Sequence, residues 1–332
     1  MSSTPTVSVV MPLRNAEDTL EVAVTSVCEQ TFTDWELIVV DDGSTDGSSA
    51  LLNELTARDD RIYIEHTVAR GVAPAMNRAC ELARGEWIAR MDSDDWMHPE
   101  RLAKQLQHAQ HHPDLGVISC RVGFGGEGEG YGAHVDWLNT VMSPDEIALR
   151  RFVESPVANP SVMFHRELIR KHGGCLDGDF PEDYEMWLRW LDAGVRFGKV
   201  NEELLIWNDC PTRLTRNDPR YAVERFYELK CKWLAKWLER EVRGRALWLW
   251  GAGRVTRRRF ESLTNIHGYI DVDPNKVGGQ RDGRPVRLHD DLPAKDQSFI
   301  LVGVGKRGVR EEIQALLEKH GWVEGCDYLL VA

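Results

Sequence analysis

Glu86-Trp87-Ile88-Ala89-Arg90-Met91-Asp92-Ser93-Asp94-Asp95-Trp96 is the stretch on which the reading of this chain turns. The apolar run up to Met91 predicts a strand. It ends in Asp92, Asp94 and Asp95, and a helix is expected near Pro99, because proline suits the first helical turn. Carboxylates crowded at a strand end repel one another in water, and a divalent cation offsets that cost because hard cations prefer oxygen ligands. The residues therefore point to a metal-bound diphosphate site. The plain alternative is a solvated turn capping the next helix.

Working outward, strands and helices alternate. Val7 to Pro12 and Trp35 to Val40 read as buried strands, Arg61 to Glu65 as a short third. Glu17 to Gln30, Ser48 to Arg58 and Ala73 to Ala83 carry helical spacing. The expected fold is α/β with a mostly parallel sheet, whose ligands bind beyond the carboxyl ends of the strands. Pro12 to Asn15, Asp41 to Ser44 and Asp92 to Asp95 should share that edge. After Pro113 the pattern loosens. Gly123 to Gly132 lacks the lysine of a phosphate loop and reads as a hairpin tip, with acceptor contact as the lesser alternative. Asn159 to Phe164 and Leu204 to Trp207 read as strands, and Glu182-Asp183 opens a helix.

The chain has 332 residues, enough for two domains, and a formal net charge of -12. That charge argues against nucleic acid as a partner. Seven cysteines, an odd number at wide spacings with no CxxC, fit a reducing cytoplasm better than a disulfide framework. No signal-peptide pattern opens the sequence, and no apolar run reaches the ~20 residues needed to span a bilayer.

The first ~215 residues resemble the family 2 glycosyltransferases of the GT-A fold, through several motifs in family order. Val9 to Asn15 is similar to the opening strand and loop, Glu36 to Asp46 to the most recognisable run, and Asn77 to Ile88 to the approach to the metal motif. Asp92-Ser93-Asp94 is the DxD motif; Asn159 to Phe164 and Glu182 to Leu188 resemble later blocks. The resemblance implies inverting transfer of a sugar from a nucleotide-diphospho sugar, UDP-linked, to a hydroxyl on a carbohydrate or lipid-linked acceptor, in surface polysaccharide or glycoconjugate synthesis. It implies Mg²⁺ or Mn²⁺ on Asp94, assisted by Asp92. It places Pro12, Arg14, Asn15, Asp42, Arg78, Asp92 and Arg213 at the nucleotide sugar, Asp42 accepting from a uracil-like ring and Arg14 stacking on it. Asp183, paired with Glu182, is the general base, since adjacent carboxylates push one pKa upward. Where many relatives carry Arg and then His, this chain has Asn208-Asp209-Cys210-Pro211-Thr212. Asp209 is the candidate replacement ligand, with Arg213 or Arg216 meeting the diphosphate instead.

The expected domains are 1–217 for the transferase, 218–243 for one amphipathic connecting helix, and 244–332 for a small Rossmann-like unit. The helix is aromatic and basic, which leaves room for peripheral contact with the inner face of a membrane. Gly251-Ala252-Gly253 resembles the glycine-loop domains that precede some sugar acyltransferases, but it is a weak signal. Partner docking or oligomerisation is the favoured role there, and a nicotinamide oxidoreductase is a poor reading. A second overall reading is a catalytically weak nucleotide-sugar-binding scaffold.

Overall fold

The computed structural model describes residues 4–210 and 213–332. The chain divides into two compact units: residues 1–147 with 157–220, and residues 148–156 with 221–332.

The first unit is built on eight strands: β1 (Val7–Leu13), β2 (Trp35–Asp41), β3 (Ile62–His66), β4 (Trp87–Arg90), β5 (Trp96–Met97), β6 (Leu115–Gly125), β7 (Met163–His165) and β8 (Arg196–Asn208). Their order is β3-β2-β1-β4-β7-β6-β8-β5. The β3-β2-β1-β4 half is parallel, and β7 runs antiparallel to both β4 and β6. Parallel strands covered on both faces are apolar along nearly their whole length. Val7, Val9 and Met11 join Leu20, Val24 and Leu52 on one face, while Val10 joins Ala73, Met76, Trp187 and Trp190 on the other. All of β1 is buried, and each such side chain contributes roughly 1.5–3 kcal/mol.

Glu36, 2% exposed near the start of β2, is one buried charge this packing tolerates. It accepts from Ser8 Oγ at 2.6 Å and from Arg84 N and Nε at 2.8 Å each. Buried carboxylates persist only when paired in this way. The sequence block before β4 is therefore partly structural.

Gly123 to Gly132 is not a hairpin tip. It contains the end of β6 and the start of the helix Glu129–Thr140. A Cβ at Gly123 would lie 2.7 Å from Ile206 Cδ1, and one at Gly125 only 2.0 Å from Asn208 Oδ1. These glycines let β6 lie close against β8. Asn159–Ser161 forms a 3-10 turn before β7, and β8 begins at Arg196 rather than Leu204.

The second unit holds β9 (Ala246–Trp250), β10 (Ile266–Asp271), β11 (Gln280–Arg281), β12 (Arg284–Leu288), β13 (Ser298–Val302) and β14 (Tyr328–Leu330), ordered β11-β12-β10-β9-β13-β14. The long helix begins at Val223, not Asp218, and runs to Glu241 within this unit. Its aromatic stripe is spent on packing: Tyr227 meets Phe260, and Trp237 lies between Phe152 and Phe299. No described helix is long and apolar enough to cross a membrane. Gly251 follows β9, and Asp271, at the end of β10, accepts from Ala252 N at 2.9 Å and Asp273 N at 3.0 Å. Lys276 Nζ lies 3.1 and 3.2 Å from its two oxygens. Both oxygens of Asp271 are thus committed within the fold.

Candidate active site

The acidic loop is fixed by strand pairing. β5 pairs antiparallel with β8, Trp96 against Ile206 and Met97 against Leu205. This brings Asn208, at the end of β8, onto Asp94 and Asp95. Its backbone N–H donates to Asp95 Oδ1 at 2.9 Å, and its Nδ2 donates to the Asp94 carbonyl at 2.7 Å.

Asp92, Asp94 and Asp95 each offer an oxygen, and these oxygens lie within 4.8 Å of one another. Asp95 is 1% exposed, and its Oδ2 has no hydrogen-bond partner. Burial, then the charge of Asp92, push Asp94 up to about 6. Burial, then Asp92 and Asp94, raise Asp95 well above the ordinary carboxylate range. An oxygen-only donor set with a buried, orphaned carboxylate oxygen fits a hard divalent cation.

Asp209, expected as a third ligand, lies outside this cluster. It forms an ion pair with Arg216, whose Nε is 3.1 Å from Oδ1. The third carboxylate is Asp95. Arg213 does face the acids, and its charge acts on all three. Its Nη1 donates to Tyr131 Oη at 2.6 Å and to the Asn208 carbonyl at 3.1 Å. The guanidinium lies 4.9 Å from the ring centres of both Tyr131 and Trp207.

Beyond β1 and β2, two loops are knitted together. Asn15 N–H donates to Ser44 Oγ at 2.9 Å, and Asn15 Oδ1 accepts from Thr45 N at 2.8 Å. Gly43 has φ +70°, and a Cβ there would lie 2.8 Å from Ala69 N, so the turn requires glycine. Asp42 is 4% exposed and accepts one backbone N–H on each oxygen, from Arg70 and Gly71, both at 2.8 Å. Asp42 is thus a loop anchor, whatever else it does. Asp41 accepts from Ser44 N and Ser49 Oγ and meets His66 Nδ1 at 3.0 Å. Pro12 is buried within β1, and Arg14 is exposed on the loop after it. Arg78 is held by Glu65 at 2.7 and 2.9 Å and by Glu81 at 3.1 Å.

Glu182 and Asp183 occupy the first turn of the helix Glu182–Asp192. This helix is seated through Met186, Trp187 and Trp190. Burial, then Glu182, push Asp183 up to about 7, with Arg90 opposing and Asp92 reinforcing. The acidic loop and the Glu182-Asp183 pair therefore lie within one electrostatic field. Sequence reading missed Arg90, Asn208 and Tyr131. Arg90 left one signal, a charge interrupting an otherwise apolar strand.

Sheet order, twofold-covered β1 and acids beyond β2 and β4 define the class first: a GT-A fold of the nucleotide-diphospho-sugar transferases. Residues 1–349 of TarS from S. aureus, solved in complex with UDP-GlcNAc, superpose with a TM-score of 0.56 at 19% identity, covering 71% of this chain and 72% of that one. The mannosyltransferase PcManGT from Pyrobaculum calidifontis, solved with GDP-Man and Mn²⁺, gives 0.51 at 19% identity over 73% of this chain and 65% of that one. Residues 8–173, half of the chain, match the profile of Glycosyl transferase family 2, and the chain belongs to that family. TuaG of Bacillus subtilis (strain 168), named as a teichuronic acid biosynthesis glycosyltransferase, is 29% identical over 254 residues, covering 69% of this chain and 92% of TuaG.

Proposed function

We propose that this glycosyltransferase moves a sugar, with inversion, from a UDP-linked donor to an acceptor hydroxyl in the synthesis of a surface polysaccharide or glycoconjugate. The observation that carries the reading is that two acidic groups share one field: an oxygen-only cluster with an orphaned Asp95 oxygen, and Asp183, on which Asp92 and Arg90 both act. The structural neighbours solved with UDP-GlcNAc and with GDP-Man and Mn²⁺ support it, as does the polysaccharide role in the name of TuaG.

Asp94 and Asp92, with Asp95 behind them, would hold Mg²⁺ or Mn²⁺. When bound, the cation supplies Lewis-acid neutralisation of the leaving diphosphate. Arg213 faces the same developing charge from the opposite loop. Asp42 and Arg14 receive the nucleobase at the edge of β1 and β2. Asp183 takes the proton from the acceptor hydroxyl as its oxygen bonds to the anomeric carbon and the bond to the diphosphate breaks. A carboxyl that titrates near neutrality is a competent base, because it gains more from accepting that proton than an ordinary aspartate does.

Calorimetry of UDP binding with Mn²⁺ and with EDTA tests the site. Binding that needs the cation is the expected result, and equal binding in EDTA refutes the metal assignment. Release of UDP from UDP-sugars separates a transferase from the scaffold alternative, which predicts binding without turnover.

A further inference from the structure

Arg90 ends β4 and is 3% exposed. A guanidinium carries five N–H donors, keeps its charge, and is costly to bury without acceptors. Its main chain is pinned on both sides: Arg90 N–H donates to the Val162 carbonyl at 2.9 Å, and its carbonyl accepts from Arg101 Nη2 at 2.9 Å. Its side chain is under-supplied. Nη1 forms an ion pair with Asp92 Oδ1, yet neither Nε nor Nη1 finds a well-aligned hydrogen-bond acceptor.

The neighbouring buried arginine does not share the task. Arg101, 0% exposed, donates to Gln105 Oε1 at 3.1 Å and to the carbonyls of Arg90 and Val162. It braces the backbone of Arg90, and although its charge reaches Asp95 it makes no ion pair with the acidic loop. Arg90, in contrast, acts electrostatically on Asp92, Asp94 and Asp95 of the loop and on Asp183 of the helix Glu182–Asp192.

We propose that Arg90 is a positioning residue for the transfer: from beneath the acidic loop it fixes which oxygen of Asp92 faces the donor, and it sets the acidic loop and Asp183 about one buried cation. With Oδ1 on Arg90, Oδ2 is the oxygen Asp92 presents. The inference rests on the transferase reading above and adds a residue that touches neither donor nor acceptor.

Charge and geometry give opposite signs when Arg90 is removed. Loss of a cation beside a metal site strengthens binding of bare Mn²⁺. Loss of the group that orients Asp92 and Asp183 slows turnover. A residue that merely filled space would weaken both together.

The test uses the full chain, Mn²⁺ titrated by electron paramagnetic resonance, and nucleotide release from UDP-GlcNAc and GDP-mannose. In Arg90→Met the Mn²⁺ Kd should fall by about threefold or more, while kcat falls by about 30-fold with KM within about threefold. Arg90→Lys keeps the charge without the fork, so its Kd should match the wild type while kcat is intermediate. An Arg90→Met chain that folds and keeps kcat within about threefold, or binds Mn²⁺ more weakly, overturns the proposal. Should the Met variant fail to fold, the Lys variant decides: a kcat equal to the wild type refutes the assignment. A wild-type chain with no Mn²⁺-dependent nucleotide release refutes the transferase reading itself, and that result is visible before any variant is made.

Discussion

Replacing Asp183 by asparagine should make the protein more stable and less active, and the gain should depend on pH. Burial and the neighbouring Glu182 push the carboxyl up to about 7 in the fold, from an ordinary 3.8. A carboxyl raised in this way binds its proton more tightly folded than unfolded. Its contribution is therefore favourable below pH 3.8 and is lost as pH climbs to about 7. Above that, keeping the group ionised costs up to ~4 kcal/mol, from ~1.4 kcal/mol for each pH unit of displacement. Asparagine removes the charge but keeps Glu182 beside it, so recovery of about 1–3 kcal/mol at pH 8 is expected. Urea unfolding of both chains at pH 5 and pH 8, in EDTA, measures it through the midpoint at constant slope. The gain should be larger at pH 8 than at pH 5, and nucleotide release should be lost. A gain equal at both pH values, or none, would show that Asp183 is not held in its charged form against burial. The pKa argument for its role as base would then fall.

Three other substitutions test the acidic loop. Asp95→Asn removes a buried charge with an orphaned oxygen, so it should raise the thermal midpoint while weakening Mn²⁺ binding by about tenfold or more, read by calorimetry. Asp209→Ala should leave the Mn²⁺ Kd within about threefold of the wild type, since its partner is Arg216; a larger loss would return Asp209 to the ligand set. Gly125→Ala should drive Asn208 away from Asp94 and Asp95. It should cost about 1–3 kcal/mol in urea unfolding and lower nucleotide release together.

The parallel half of the sheet was readable because β1, β2 and β4 are covered on both faces, and such strands are apolar almost throughout. Trp35 to Val40 running into Asp41-Asp42-Gly43-Ser44 left little choice of strand end or turn. The helix opening at Glu182 was equally plain. Glycine was the source of error at Gly123 to Gly132, because the same residue serves a tight turn and a close approach of two strands. Only Ile206 and Asn208, more than eighty positions away, reveal which is meant. Asp209 stood as a candidate ligand, with the role of Asp95 open, for a related reason. Both are acids near a strand end, and the pairing of β5 with β8 separates them. Arg90 was invisible as a participant, since a strand sequence does not say which charge will be sealed inside.

The segment from Ala148 to Pro156 lies within the first unit's stretch of sequence yet belongs to the second unit. Lys230, 4% exposed, donates there to the Val153 carbonyl at 2.8 Å and to the Val331 carbonyl at 3.1 Å. Arg150 pairs with Glu324, and Phe152 packs on Trp237. Any chimera joined at Arg220 would thus import a C-terminal module while keeping the host's plug for it. Such grafts between relatives should succeed only when both pieces travel together. A protease nick at the same junction should yield two fragments that still elute as one.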